Sequence, residues 1–287
     1  MASLRIIRRR IRSVQSISKI TRAMEMIAAL KMRRAQERGL AGRPYAEKIT
    51  QVIADLAVLY GGKGQLSAHP LLQQRPVKCV LVVHITPDRG LCGGLVGNIN
   101  RQTASFIMER KIPVSVVTVG RKGYDYMRRY GLKILADFSN LGDNPKQIDT
   151  LPISRLIIDE YTNGTTDAVY ISYTEFVNTM VQRPVLLQVL PVKPAELPAI
   201  ENVGYVYEPN SEMVLGSLLP RFVEMQVYHS ILEAIASEQS ARMVAMRAAT
   251  DNAAELTTDL TLSYNKARQE SITTELLDIT GGAAALS

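Results

Sequence analysis

The chain has 287 residues, 46% of them hydrophobic and 21% charged, which is enough apolar material for one or two ordinary cores. The net charge of +7 is not spread evenly: residues 1–38 hold eleven Arg/Lys against two Asp/Glu, a net of +9, so the rest of the chain is slightly acidic. There is no apolar run of about 18 residues that could span a bilayer. Two cysteines, Cys79 and Cys92, form no disulfide framework and no CxxC motif, which suits a reducing compartment.

Residues 1–43 contain no proline and only Gly39 and Gly42. Leu4, Ile7, Ile11 and Val14 step by three and four, the seam of a long helix. Ile17, Ile20, Met24, Ile27 and Leu30 continue that step with a slip of phase, which predicts a local change of supercoil. The N-terminus has arginines but no apolar stretch with a small-residue cleavage site, so it is not a secretory signal. A basic helix suits nucleic acid, an anionic membrane or an acidic protein surface, with a merely solvated face as the plain alternative. Nucleic acid is disfavoured: no aromatic precedes Tyr45 to stack on a base, and no zinc-finger or RNP pattern is present.

The middle of the chain changes texture. Val77–Thr86 is β-branched and reads as a buried strand. The turn Asp88-Arg89-Gly90-Leu91-Cys92-Gly93-Gly94 follows, then a helix to about Lys111. Val114–Val119 is a second strand, followed by a short helix to Tyr130. Leu151–Thr162 is another helix, and Asp167–Phe176 and Val185–Val192 are two more strands. This alternation predicts a three-layer, Rossmann-like α/β domain with parallel pairing over residues 70–207.

The last third, Asn210–Thr280, has one proline (Pro220) and one glycine (Gly216), both near its start. Met225, Tyr228, Leu232, Ile235, Gln239, Arg242, Met246, Ala249, Ala253, Leu256, Leu260, Ser263 and Ala267 repeat the three-four step. A helix of that length spans on the order of 100 Å at ~1.5 Å per residue, too long to hide in a domain of this size. Residues 208–287 carry five Arg/Lys against eleven Asp/Glu, a net of −6. The acidic C-terminal helix is therefore expected to pair antiparallel with the basic N-terminal one, the flanking charges attracting each other. The expected organisation is a coiled-coil helix over 1–60, an inserted α/β domain over 70–207 and a coiled-coil helix over 210–287.

Chemistry is hard to find. Gly90, Gly93, Gly94 and Gly97 do not have dinucleotide-binding spacing, no carboxylate ends the second strand, and there is no Walker A loop. The turn reads as structural, its glycines letting strand and helix meet closely. His69, His84 and His229 lie in different elements, and His84 reads as a packed side chain rather than a metal ligand. Cys92 has no assignable base and reads as a small packed residue. No catalytic residue, cofactor site or metal site is expected.

Several segments resemble one family, the gamma subunit of F-type ATP synthases. Ser13-Val14-Gln15 and Lys19–Ala28 (KITRAMEMIA) are similar to its N-terminal helix. The Asp88–Gly94 turn, Tyr205–Pro209 (YVYEP), Ser237–Met246 (SEQSARMVAM) and the ending Ile272–Ala283 (ITTELLDITGGA) are similar to its other signatures, in order along the whole chain. The resemblance implies a non-catalytic central shaft of a proton-translocating rotary complex. Its coiled coil would enter a ring of alpha and beta subunits. Its globular part would face the epsilon subunit and the membrane c ring, peripherally at the cytoplasmic face of a bacterial cell membrane. The long helix would run alone beyond its last N-terminal partner. By resemblance Met24 lies near an acidic lever segment of beta, where its uncharged side chain lets the surfaces slide. Arg268 and Gln269 match a pair that bonds to beta. Thr273 and Glu275 fall in a segment that packs near Met24 and influences coupling, and Tyr205 and Tyr207 face epsilon and the c ring. The regulatory cysteine pair of chloroplast members is not expected. The alternative reading is a soluble nucleotide-binding α/β enzyme with a dimerising coiled coil, which needs nucleotide at the Gly90–Gly97 turn.

Overall fold

The structure is a computed structural model that describes residues 4–61, 69–192, 208 and 211–285. Among the described residues, five α-helices and five strands follow in the order α1 (Leu4–Gly61), β1 (Val80–Ile85), α2 (Leu95–Glu109), β2 (Val114–Val119), α3 (Arg121–Arg129), β3 (Lys133–Phe138), α4 (Gln147–Thr162), β4 (Ala168–Phe176), β5 (Gln182–Leu190) and α5 (Ser211–Ala285). The chain forms two compact units: Met1–Ala28 with Arg242–Ser287, and Ala29–Ala241. The division therefore falls inside both long helices rather than at their ends.

The larger unit is built on one sheet of order β3-β2-β1-β4-β5. β1 pairs in parallel with β2 and β4, and β2 with β3. β5 runs antiparallel to β4, against the all-parallel expectation. The reason is local: only Val177–Val181 joins them, enough for a hairpin but not for a crossover helix. β3 is a strand the sequence pattern does not mark. Its edge position exposes every other side chain, with a burial pattern alternating along Lys133–Phe138, so it lacks the continuous apolar run of β1.

Both faces of the sheet are covered. Leu81, Val83, Val117 and Ile171 pack with Ile153, Ile157 and Tyr161 of α4 and with the inner stretches of both long helices, Ile49 and Ile53 of α1 and Leu219, Val223 and Ile231 of α5. Those inner stretches belong to the core of this unit, which is why it extends from Ala29 to Ala241. They also carry α1 past Pro44, since a buried face stabilises a helix more than one lost N–H bond destabilises it. On the opposite face Val80 and Val82 meet Phe106 of α2, and Val116 meets Met127 of α3.

The smaller unit is a helix pair. Thr21 Oγ1 and Thr250 Oγ1 lie 2.7 Å apart, and Arg247 Nε donates to Glu25 Oε1 at 2.9 Å. Moving up α1 by four residues moves down α5 by three, so the helices are antiparallel. Counted seventeen residues back along α1 from Thr21 and seventeen forward along α5 from Thr250, Leu4 comes opposite Ala267.

Candidate functional site

The seam of the helix pair differs in phase from the apolar pattern of the sequence. In the smaller unit the buried and half-buried side chains of α1 include Leu4, Ile7, Ile11, Val14, Ser18, Thr21, Glu25 and Ala28, an uninterrupted three-four step, with Met24 half-buried beside it. No slip of phase occurs. Ile17, Ile20 and Ile27, assigned to the seam by their apolarity, are 52%, 57% and 51% exposed. They form a second apolar stripe, with half-buried Met24 on its inner border. On α5 the seam runs through Met246, Thr250, Ala253, Thr257, Leu260, Tyr264 and Ala267, while Leu256 and Ser263 turn outward. Small and hydroxyl side chains fill seam positions, and an apolar scan passes over them. Alanines such as Ala28 and Ala253 instead let two backbones approach closely.

Charge pairing also departs from expectation. One ion pair between the helices joins Glu25 of the basic helix to Arg247 of the acidic one. Arg5, Arg8, Arg9, Arg10, Arg12, Lys19 and Arg22 are all exposed. The basic surface of α1 is turned to solvent rather than along the seam with α5.

Arg268 and Gln269 are exposed on α5, immediately beyond Ala267. From Arg268 to Gly281 every side chain is exposed except the half-buried Ser271. Thr273 and Glu275 lie on this stretch. Thr273 Oγ1 donates to the Gln269 carbonyl (2.9 Å), and Ser271 Oγ donates to Glu275 Oε1 (3.2 Å). Thr273 and Glu275 stand well along α5 from the level of Met24. Met24 lies beside Glu25, the partner of Arg247. Glu275 is 28 residues further along α5 than Arg247, about 40 Å at ~1.5 Å per residue. Tyr205 and Tyr207 lie outside the described residues.

The glycine turn has a different job from the one expected. An added Cβ at Gly90, Gly93 or Gly97 would meet nothing within 4 Å, so no close approach occurs there. Gly93 instead supplies a left-handed backbone at φ 59°. The close approach is at α3: a Cβ on Gly120, itself at φ 99°, would collide with the Thr86 carbonyl, and one on Gly123 would lie 2.7 Å from His84 Cδ2. Asp88 ties this region together, its carboxylate accepting from the N–H groups of Arg121 and Asn140, each at 3.0 Å.

His84 is fully buried. One ring nitrogen lies 2.8 Å from Asn100 Oδ1 and the other 3.1 Å from Thr103 Oγ1, which is in turn 2.6 Å from Ser172 Oγ. Burial lowers its pKa to about 4, partly opposed by the Asn100 bond. The neutral imidazole ties β1 to α2, and Thr103 passes the link on to Ser172 of β4. Cys92 is buried in the turn.

In an open α/β sheet ligands bind beyond the carboxyl ends of the strands, where the strand order reverses. Here that crevice is lined by Phe138 of β3, by Thr86, Asp88 and Gly120 just beyond the ends of β1 and β2, and by Ile231 and Ile235 from α5, and its volume is about 50 Å³. That holds a few waters, at about 10–15 Å³ of such space each, whereas small-molecule sites run from roughly 300 Å³ upward. The α5 side chains fill the place a nucleotide would take. A larger groove of about 390 Å³ opens between Ala35 and Leu40 of α1, Phe176 of β4 and Leu232 of α5, with His229 and Glu233 3.4 Å apart on its wall.

Comparison with known proteins agrees with the geometry. Residues 3–286 match the family model described as ATP synthase. The chain is 68% identical to the ATP synthase gamma chain of Dehalococcoides mccartyi strain CBDB1, over all of both chains. It is 51% identical to that of Roseiflexus sp. strain RS-1, over all of this chain and 99% of the relative. Among solved structures it resembles a chain of the Euglena gracilis mitochondrial ATP synthase (TM-score 0.68, 20% identity, 99% and 94% covered) and one of the Tetrahymena thermophila central stalk and c ring (TM-score 0.58, 24% identity, 80% and 99% covered). At those identities the structural likeness speaks to the fold.

Proposed function

This chain belongs to the ATP synthase gamma chain family, the central-stalk subunit, and from that premise we propose that it is the rotor of the complex. It carries torque between a membrane c ring and a catalytic ring of alpha and beta subunits, contacts epsilon at its globular end, and performs no bond-making. Its place is peripheral, at the cytoplasmic face of a bacterial membrane. Among the described residues no helix is long and apolar enough to cross a membrane.

The observation that carries this reading is the helix pair with its unshared surfaces. An antiparallel pair of α1 with α5 leaves Ile17, Ile20 and Ile27 exposed and, among the described residues, leaves α5 without a seam partner after Ala267. Exposed apolar surface on paired helices calls for a surrounding partner. A single asymmetric shaft touches each beta subunit of a surrounding ring differently. It thereby biases each toward one conformation, as a ligand does that binds two states unequally. Met24, half-buried beside the exposed stripe, is the sliding contact with beta, and Arg268 and Gln269 bond to beta from the unpaired stretch. Thr273 and Glu275 influence coupling from that same stretch rather than through Met24. Tyr205 and Tyr207 are assigned to epsilon and the c ring.

The nucleotide-enzyme alternative is weakened by the crevice that α5 fills. The rotor reading is tested with Met24→Lys in the assembled complex. The variant should fold and hydrolyse ATP, while ATP-driven proton pumping in membrane vesicles falls. Pumping that stays in proportion to hydrolysis would remove Met24 from the coupling path.

A further inference from the structure

Within the α/β unit, α5 is gripped from two directions over Val227–Ser240. Ser237 Oγ donates to the Thr174 carbonyl at 2.9 Å and Ser240 Oγ to the Thr179 carbonyl at 3.0 Å, both in the β4–β5 hairpin. On the other side Tyr228 Oη donates to the Pro145 carbonyl at 3.4 Å and Gln239 Nε2 to Asp143 Oδ1 at 3.1 Å, both in the loop between β3 and α4. The second oxygen of Asp143 accepts from Lys31 Nζ of α1 at 2.7 Å. Ser237, Gln239 and Ser240 are each no more than 1% exposed.

The spacing gives these bonds a mechanical meaning. Ser237 and Gln239 are two residues apart, about 200° around the helix, so the hairpin and the loop hold opposite flanks. Tyr228 and Gln239 are eleven apart, which returns to within about 20° of the same flank. Apolar packing is non-directional and lets a helix roll while its buried area stays constant. Hydrogen bonds lose strength steeply with misalignment, so they resist rolling. Two such restraints on opposite sides of an axis act as a couple. Through Asp143 the same loop also holds α1.

We propose that this polar collar, Ser237 and Ser240 on one flank and Gln239 and Tyr228 on the other, is the torque-bearing attachment of α5 to the α/β domain, with Asp143 locking α1 into the same fitting. The proposal rests on the rotor reading above. Ser230 provides an internal control: it is as buried as the collar serines, yet its hydroxyl donates to Gln226 within the same helix at 2.8 Å.

The test uses the assembled complex with its catalytic ring fixed to a surface. A probe rod is attached to the α/β domain through Met108→Cys, a position 81% exposed on α2. Torsional stiffness is read from the thermal angular spread of the stalled rod. The pair Ser237→Ala with Ser240→Ala removes one flank. Gln239→Glu, which keeps the side-chain size but sets a carboxylate against Asp143, removes the other. Each should roughly halve the stiffness, as expected when one of two opposed directional restraints is removed. Ser230→Ala should leave it at the wild-type value, and ATP hydrolysis by the ring should persist throughout. If the serine pair fails to assemble, Gln239→Glu decides. Wild-type stiffness in the collar variants on a rod that rotates normally overturns the collar and leaves the rotor reading intact. A wild-type rod that never turns on ATP overturns both.

Discussion

Thr21 and Thr250 touch hydroxyl to hydroxyl, 2.7 Å apart, in the seam where α1 meets α5. Each also has a fallback within its own helix, Thr21 to the Ser18 carbonyl at 3.1 Å and Thr250 to the Met246 carbonyl at 2.9 Å. The contact thus fixes register without leaving either hydroxyl dependent on the other. Replacing one threonine by valine should cost about 0.5–1 kcal/mol, because the surviving hydroxyl turns to its own backbone. The double replacement should be neutral or stabilising, since both polar groups leave together and an apolar pair takes the seam. Thermal unfolding of the two single variants and the double, followed by circular dichroism, checks this. A double variant as destabilised as either single would show that the hydroxyl pair itself holds the helices together.

The two long helices could be read from the sequence because their length and lack of breakers need no tertiary information. Their seam could not be read fully. A scan for apolar steps follows Ile17, Ile20 and Ile27, whereas the packed line passes through Ser18, Thr21 and Ala28, residues whose small size suits close helix approach. β1 was legible as a run of six buried residues. β3 was not, because an edge strand shows half its residues to water. The antiparallel β5 was in principle legible from its short link to β4. The His84 tie was not: its partners are 16 and 19 residues away, and the pairing exists only once α2 lies on the sheet.

That tie has a pH signature. His84 titrates near 6.5 when unfolded and at about 4 in the fold because burial disfavours its charged form. A depressed pKa means that the unfolded chain binds the proton first. The neutral form's stabilisation is therefore fully present above about pH 6.5 and is lost as pH falls from there toward 4. The loss amounts to about 3 kcal/mol at the low end. Urea unfolding across this window should show that decline, and His84→Gln should flatten it. An equally steep decline in the glutamine variant would assign the acid sensitivity to other groups.

Two glycines separate the close approach at α3 from the glycine turn. Gly120→Ala places a Cβ into the Thr86 carbonyl at a left-handed backbone and should cost upward of about 3 kcal/mol, enough to prevent soluble expression. Gly97→Ala adds a methyl with no neighbour within 4 Å, in the first turn of α2, and should be neutral or stabilise by about 0.5 kcal/mol. Melting temperatures give the comparison. The second variant also bears on function, because a phosphate cradled by this turn would be displaced by the new methyl. Full ATP-driven pumping by Gly97→Ala is expected of a rotor, and its loss with stability unchanged would favour a nucleotide at the turn.

Arg268 and Gln269 stand on the part of α5 that α1 no longer covers, and both are exposed. Their removal therefore cannot create a cavity or strand a buried group within the chain. Arg268→Ala with Gln269→Ala should leave the melting temperature of the isolated subunit within a degree or so of the wild type, as is usual for exposed substitutions. The same pair should weaken the assembled complex, or its turnover, by about 1–3 kcal/mol for each charge-assisted or buried hydrogen bond to beta that the alanines cannot make. Thr273 tightens the inference: its hydroxyl bonds to the backbone carbonyl of Gln269, not to the side chain, so the local helix survives the substitution. An assembly defect with an unchanged melting temperature therefore reads out the missing partner directly. Normal assembly and turnover would mean that these two side chains meet only water.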